Sequence, residues 1–217
     1  MIIAIDGPAG AGKSTIARQV ARALSILYID TGAMYRAVTL KALESGIAIE
    51  DIPGVIKTAR SAQIDLVNKP DGALTVLLDA KDVSSQIRQP QVSRYVSDVA
   101  RIKEVREVMV KLQRELGERT DSVLDGRDIG TVVFPNADRK FYLDADFNER
   151  VQRRYAELKE AGSTITPEDV DKDLRNRDTI DSTREHSPLK RAEDAVYVDT
   201  TRMSINEVVQ EVLKHIH

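Results

Sequence analysis

The 217-residue sequence predicts an α/β fold, a parallel five-stranded sheet flanked by helices, and three observations carry that expectation. Five short apolar runs (Ile2 to Ile5, Ile26 to Ile29, Val123 to Leu124, Phe141 to Leu143 and Val196 to Val198) each end in a turn or a polar residue. Most are followed by apolar residues at helical spacing. One stretch, residues 63 to about 80, departs from the pattern and alternates as a half-buried strand pair does.

Taken in order, the run Ile2 to Ile5 breaks at Asp6 and gives way to a glycine-rich turn. Ile16, Ala17, Val20, Ala21 and Leu24 then place one apolar stripe on a helix. The second run leads into Asp30-Thr31-Gly32-Ala33-Met34-Tyr35-Arg36, which opens another helix. Ile64 and Leu66, then Leu74, Val76 and Leu78, alternate with polar neighbours on either side of Asn68-Lys69-Pro70-Asp71-Gly72. That is an antiparallel hairpin with a Pro-Asp-Gly turn, a small lobe inserted between parallel units. The third run is followed by Asp125-Gly126-Arg127-Asp128-Ile129-Gly130, and Gly162 to Pro167 reads as a mobile connection between two charged helices. Ile205, Val208, Val209, Val212 and Leu213 make the last helix amphipathic. Strands that alternate with helices are buried on both faces, and ligands of such sheets sit at the carboxyl ends of the strands.

Composition narrows the chemistry. Lys and Arg number 32 against 35 Asp and Glu, a formal charge of −3, which gives no support for binding a nucleic-acid polymer. The absence of cysteine excludes disulfides, thiolate metal sites and a cysteine nucleophile. No apolar run approaches the ~20 residues of a membrane span, so a cytoplasmic protein is expected. Aromatic residues are 4% with no tryptophan, too few for a base-stacking platform.

Gly7-Pro8-Ala9-Gly10-Ala11-Gly12-Lys13-Ser14 matches G-x4-G-K-[ST] in full, after a strand and before an amphipathic helix. Glycines let backbone N–H groups turn inward around phosphate oxygens, and the helix N-terminus adds partial positive charge. Lys13 can reach the β- and γ-phosphates, and the Ser14 hydroxyl can join the coordination of Mg²⁺. A nucleoside triphosphate site of P-loop type follows.

Asn68-Lys69-Pro70-Asp71 matches a guanine-reading tetrapeptide, and Asp51-Ile52-Pro53-Gly54 mimics a GTPase switch. The two lie too close together to hold the strand and helix that separate them in a GTPase, and a turn is the better reading of the first. A small-molecule kinase instead needs a second anion-binding pocket. Arg36, Arg127, Arg177 and Arg184, near strand ends or in Arg177-Asp178-Thr179-Ile180-Asp181-Ser182-Thr183-Arg184, supply one, because guanidinium forks bind phosphate bidentately.

At Gly7 to Thr15, Asp30 to Arg36, Asp125 to Pro135 and Arg177 to Leu189 the chain resembles the bacterial cytidylate kinases, nucleoside monophosphate kinases of the P-loop class, and the resemblance runs nearly end to end. It implies a core of residues 1–36, 101–146 and 185–217, a monophosphate-binding region with its antiparallel insert at about 37–100, and a short helical lid at about 147–184. It implies that ATP is bound by Gly7, Pro8, Ala9, Gly10, Ala11, Gly12, Lys13, Ser14 and Thr15, with Arg153 from the lid. The acceptor, CMP or dCMP, would meet Thr31, Tyr35, Arg36, Ser97, Arg106, Arg127, Asp128, Arg177, Asp181 and Arg184. Ser97 and Asp128 would touch the cytosine ring, and Asp181 a sugar hydroxyl. Lys13, Arg127, Arg154 and Arg177 would stabilise the moving phosphoryl group. Mg²⁺ would be held directly by Ser14 and through water by Asp125. The expected partners are small nucleotides, not a polymer or a membrane, and the expected state is a monomer.

Overall fold

The computed structural model of the protein describes residues 1–69, 73–160 and 162–216. Its centre is a five-stranded parallel sheet of β1 (Ile2–Asp6), β2 (Leu27–Asp30), β6 (Ser122–Asp125), β7 (Arg139–Asp144) and β8 (Val196–Asp199), in the order β2-β6-β1-β7-β8. The five apolar runs are these five strands, the second shifted by one residue and the others lengthened by one to three. Both faces are covered, so both sets of alternating side chains are apolar. Ile3, Ile5, Val123, Phe141 and Leu143 pack with α1 (Lys13–Leu24) and α8 (Ile205–Lys214). Ala4, Ile29 and Leu124 pack into the opposite cluster, built with α2 (Thr31–Glu44) and α5 (Lys103–Gly117).

The insert also takes the expected form. The strand β3 (Ile64–Asn68) pairs antiparallel with β4 (Leu74–Leu78), Ile64 opposite Leu78 and Asn68 opposite Leu74. Pro70, Asp71 and Gly72 of the anticipated turn lie outside the described residues. A third strand, β5 (Lys81–Asp82), is only two residues long and carries no alternation to betray it. Ile64, Val76 and Leu78 belong to the same core cluster as α2, α3 (Ile52–Ser61) and α4 (Pro90–Ala100), so the lobe is continuous with one face of the core. Asn68 ties it to the sheet, its side-chain amide donating to the carbonyl of Tyr28 at 3.0 Å. Asp51, the first residue of the switch-like tetrapeptide, is the N-cap of α3 and accepts from Gly54 N–H at 3.1 Å, an ordinary capping turn.

The span of about 147–184 expected to be a helical lid holds a pair of helices, α6 (Phe147–Glu160) and α7 (Pro167–Thr183). They share a small apolar cluster of Val170 and Leu174 with Ala9 of the glycine-rich turn, which seats them over the carboxyl ends of the strands. Between β6 and β7 the chain makes a wide helical segment, Ile129–Val133, that the sequence pattern does not announce.

Candidate active site

The glycine-rich turn bridges β1 and α1. Gly10 and Gly12 hold φ of +78° and +84°, in the left-handed region that a side chain disfavours, and Gly12 is the N-cap of α1. A Cβ at Gly7 would lie 1.9 Å from the carbonyl oxygen of Leu143, so that position admits no side chain at all. Lys13 folds back across the turn, and its ammonium donates to the carbonyl of Pro8 at 2.6 Å.

Behind the turn, at the end of β6, Asp125 is fully engaged. Ser14 Oγ donates to its Oδ2 at 2.8 Å and the Tyr28 hydroxyl to its Oδ1 at 2.9 Å. Thr31 Oγ1 donates to its backbone carbonyl at 2.6 Å. Burial pushes the Asp125 carboxyl upward, and Asp30 adds to the effect. Asp30 itself caps α2 by accepting from Ala33 N–H at 2.8 Å.

Across the cavity stands a ring of guanidinium groups. Arg36 donates to Ser93 Oγ at 2.8 Å. Arg127 Nε donates to Asp181 Oδ2 at 2.8 Å, Arg106 Nη2 to Asp128 Oδ2 at 2.5 Å, and Arg184 Nη2 approaches Asp128 Oδ1 to 3.5 Å. Arg177 has Asp173 at 3.8 Å, and among the described residues its buried Nε has no partner. The cations outnumber the carboxylates there: Arg106 and Arg127, paired with Asp128 and Asp181, are held above the ordinary guanidinium range, and the other three below it. Burial, and then Arg177 and Arg154, lower Arg36 to about 9. Burial followed by Arg127 lowers Arg177, and burial followed by Arg106 lowers Arg184. For Asp181 burial acts upward, but Arg127, Arg177 and Arg184 outweigh it and hold the carboxyl below its ordinary value. Arg36, Arg177 and Arg184 are thus buried with too little negative charge beside them, which a phosphate dianion would supply.

Nearly all the residues expected from the sequence line this one cavity. From the cradle come Ala9, Gly10, Gly12, Lys13, Ser14 and Thr15; from the acceptor side come Thr31, Tyr35, Arg36, Ser97, Arg106, Arg127, Asp128, Arg177, Asp181 and Arg184, with Asp125 between them and Arg154 from the lid. Gly7, Pro8 and Ala11 form the back of the turn. Arg153 does not join them. It faces the loop after β8, where Nε pairs with Glu149 at 2.8 Å, Nη1 meets Thr200 Oγ1 at 3.0 Å and Nη2 meets the Thr200 carbonyl at 2.7 Å. One position on, Arg154 points into the cavity with Glu157 at 3.0 Å. Adjacent residues of a helix point about 100° apart, so Arg153 and Arg154 cannot share a target.

Sequence reasoning passed over Arg150, which is buried, pairs with Asp178 at 2.6 Å and donates to the Ala9 carbonyl at 3.0 Å. It ties α6 and α7 to the glycine-rich turn, and its place one turn before Arg154 on the same helix was the available signal. Tyr28, hidden in an apolar run, and Arg18 and Arg88, which also line the cavity, were missed as well.

A P-loop cradle and an arginine-lined acceptor pocket on one cavity, at the carboxyl ends of a parallel sheet, define a P-loop kinase acting on a phosphorylated small molecule. Sequence comparison narrows the class. The cytidylate kinase family model matches residues 3–217, and the chain belongs to the cytidylate kinase family. It is similar to the cytidylate kinase of Clostridioides difficile (strain 630), at 51% identity over 217 residues that cover 100% of this chain and 98% of that one. The cytidylate kinase of Caldanaerobacter subterraneus subsp. tengcongensis is 50% identical over 214 residues, 99% and 93% of the two chains. Among solved structures, a shikimate kinase from Bacteroides thetaiotaomicron superposes with a TM-score of 0.50 at 12% identity, over 100% of this chain and 98% of that one, and shares the fold.

Proposed function

We propose that this protein transfers the γ-phosphate of ATP to CMP or dCMP, giving ADP and CDP or dCDP. The observation that carries the proposal is the cavity with two anion-binding walls, Lys13 and the P-loop on one side and Arg36, Arg127, Arg177 and Arg184 on the other. In-line transfer between two bound phosphates needs them held together, water excluded and the charge on the moving group balanced. The backbone N–H groups from Gly7 to Thr15 would hold the triphosphate. Lys13, Arg127, Arg154 and Arg177 would balance the moving charge. No side-chain base is needed, because the accepting phosphate oxygen is already anionic.

Asp128 would read the base, with Ser97 and Arg106 beside it and Tyr35 packed under Arg106, whose guanidinium lies 5.5 Å from the ring centre. Cytosine offers an exocyclic amine to a carboxylate; uracil offers a carbonyl there and opposes two acceptors, at a cost of about 1–3 kcal/mol. Asp181 would face a sugar hydroxyl. Residues 1–36, 101–146 and 185–217 would act as the rigid core, with 37–100 and 147–184 closing on their nucleotides.

The residues suit Mg²⁺. A hydroxyl and a carboxylate, both hard oxygen donors, meet at 2.8 Å where the cradle ends, and among the described residues no cluster of three or more acidic, histidine or cysteine side chains competes for a metal. Ser14 would hold the ion directly and Asp125 through water, the phosphates completing the set. The ion would supply charge neutralisation to the β- and γ-phosphates.

An ADP-release assay with CMP, dCMP, UMP, AMP and GMP tests the reading. CMP and dCMP should be used far better than the other three. Equal rates would remove the cytosine assignment, and ATP hydrolysis unaffected by any acceptor would remove the kinase.

A further inference from the structure

Asp6 ends β1, is 5% exposed, and lines neither the phosphate cradle nor the acceptor pocket. Its carboxylate reaches sideways to the next strand end, where Oδ1 accepts from Ile129 N–H and Oδ2 from Gly130 N–H, both at 2.8 Å. These are the first two N–H groups of the segment Ile129–Val133, which have no partner within a helical turn. The residue ordinarily placed to satisfy the second of them is the N-cap, Asp128, and aspartate is a favoured capping type. Asp128 makes no capping hydrogen bond. Its carboxylate turns instead toward the cavity, to Arg106 at 2.5 Å and Arg184 at 3.5 Å.

Strand register explains the exchange. Ile5 pairs with Asp125, and Gly126 N–H continues the ladder to the Ile5 carbonyl at 3.0 Å, so Asp6 arrives beside the loop just as that loop leaves the sheet. Gly130 leaves the room: a Cβ there would come within 3.4 Å of Asp6 Oδ2 and 3.1 Å of the Lys140 side chain. We infer that Asp6 is a specificity-positioning residue: by capping Ile129 and Gly130 from the neighbouring strand it leaves the Asp128 carboxylate free to face the base of the acceptor nucleotide. Without it, the Gly130 N–H is left to the N-cap carboxylate, Asp128, which would swing from Arg106 back to its own backbone.

The inference rests on the proposed base-reading role of Asp128, and the wild-type protein tests that role first, through the ratio of kcat/KM for CMP to that for UMP. A wild-type ratio near one removes the base reading and the inference with it. Given a wild-type preference for CMP, Asp6→Asn, which keeps the volume and loses one acceptor, should lower the ratio at least fivefold and raise the KM for CMP. ADP affinity, read by fluorescence titration, should stay within threefold. The double variant Asp6→Asn/Asp128→Asn should show a ratio within twofold of Asp128→Asn alone, because the two act through one carboxylate. An unchanged ratio in Asp6→Asn, an equal loss for CMP and UMP, or additive effects in the double variant would overturn the inference. Should Asp6→Asn not fold, Asp6→Glu retains the carboxylate. A preserved ratio there supports the inference, and a ratio as low as that of Asp128→Asn with intact ADP binding overturns it.

Discussion

Replacing Lys13 with methionine should make the unliganded protein more stable while slowing phosphoryl transfer by orders of magnitude. The Lys13 side chain is buried, and among the described residues its ammonium has one hydrogen bond, to Pro8, and no ion pair. Burial, and next the positive field of Arg127, lower its pKa from 10.5 to about 7, against the opposing pull of Asp125 and Asp181. At about 1.4 kcal/mol per pKa unit the charged form costs at most about 4–5 kcal/mol in the folded protein. Water in the open cavity and relaxation around the thioether reduce the realised gain to roughly 2 kcal/mol. For a protein of this size that is a rise in Tm of about 4–8 °C. The sign with pH follows. The unfolded lysine keeps its proton to about pH 10.5 and the folded one only to about pH 7, so the cost is full below about pH 7 and shrinks as pH rises toward 10.5. The advantage of Lys13→Met should therefore be largest near neutrality and fade in alkali, while kcat falls by about 10²–10³-fold. Scanning calorimetry without nucleotide, at several pH values, together with the coupled assay, measures both. A Tm equal to or below that of the wild type at pH 7, or a gap that widens with pH, would refute the reasoning.

Two further substitutions probe the other walls of the site. Arg184→Ala removes a cation that stands by Asp128 and Asp181, and losing a charge-assisted contact of about 1.5–3 kcal/mol should lower kcat/KM for CMP by roughly ten- to 150-fold. ADP affinity should move by less than about threefold, and steady-state kinetics with a nucleotide titration would expose the opposite pattern. Gly7→Ala drives a Cβ into the Leu143 carbonyl and should cost more than about 3 kcal/mol, whereas Gly46→Ala, at φ +68° with open space around it, should cost about 1 kcal/mol. Equal denaturation midpoints for the two would contradict the contact.

The sheet was legible because burial on both faces writes itself as apolar runs, and the cradle because its glycines, lysine and serine stand in one contiguous string. The acceptor pocket is scattered from Thr31 to Arg184 and has no such string. Its membership came from a resemblance, which named the residues without their partners. What stayed hidden depends on register or helix phase. Tyr28 reads as one more apolar strand residue until strand pairing sets its hydroxyl against Asp125. Asp6 looks like the end of a run until the β1–β6 ladder puts it beside Ile129. Arg153 and Arg154 look interchangeable until the helix turns one to Thr200 and the other to the cavity.

The bond from Asn68 to the Tyr28 carbonyl reaches beyond the acceptor lobe. β2 is the outermost strand on its side of the sheet, and such a strand offers unpaired main-chain groups to any neighbouring chain. The hairpin lies along that border and occupies one of its acceptors with a side chain rather than a strand. That carbonyl is thereby closed to a strand added at the border of the sheet.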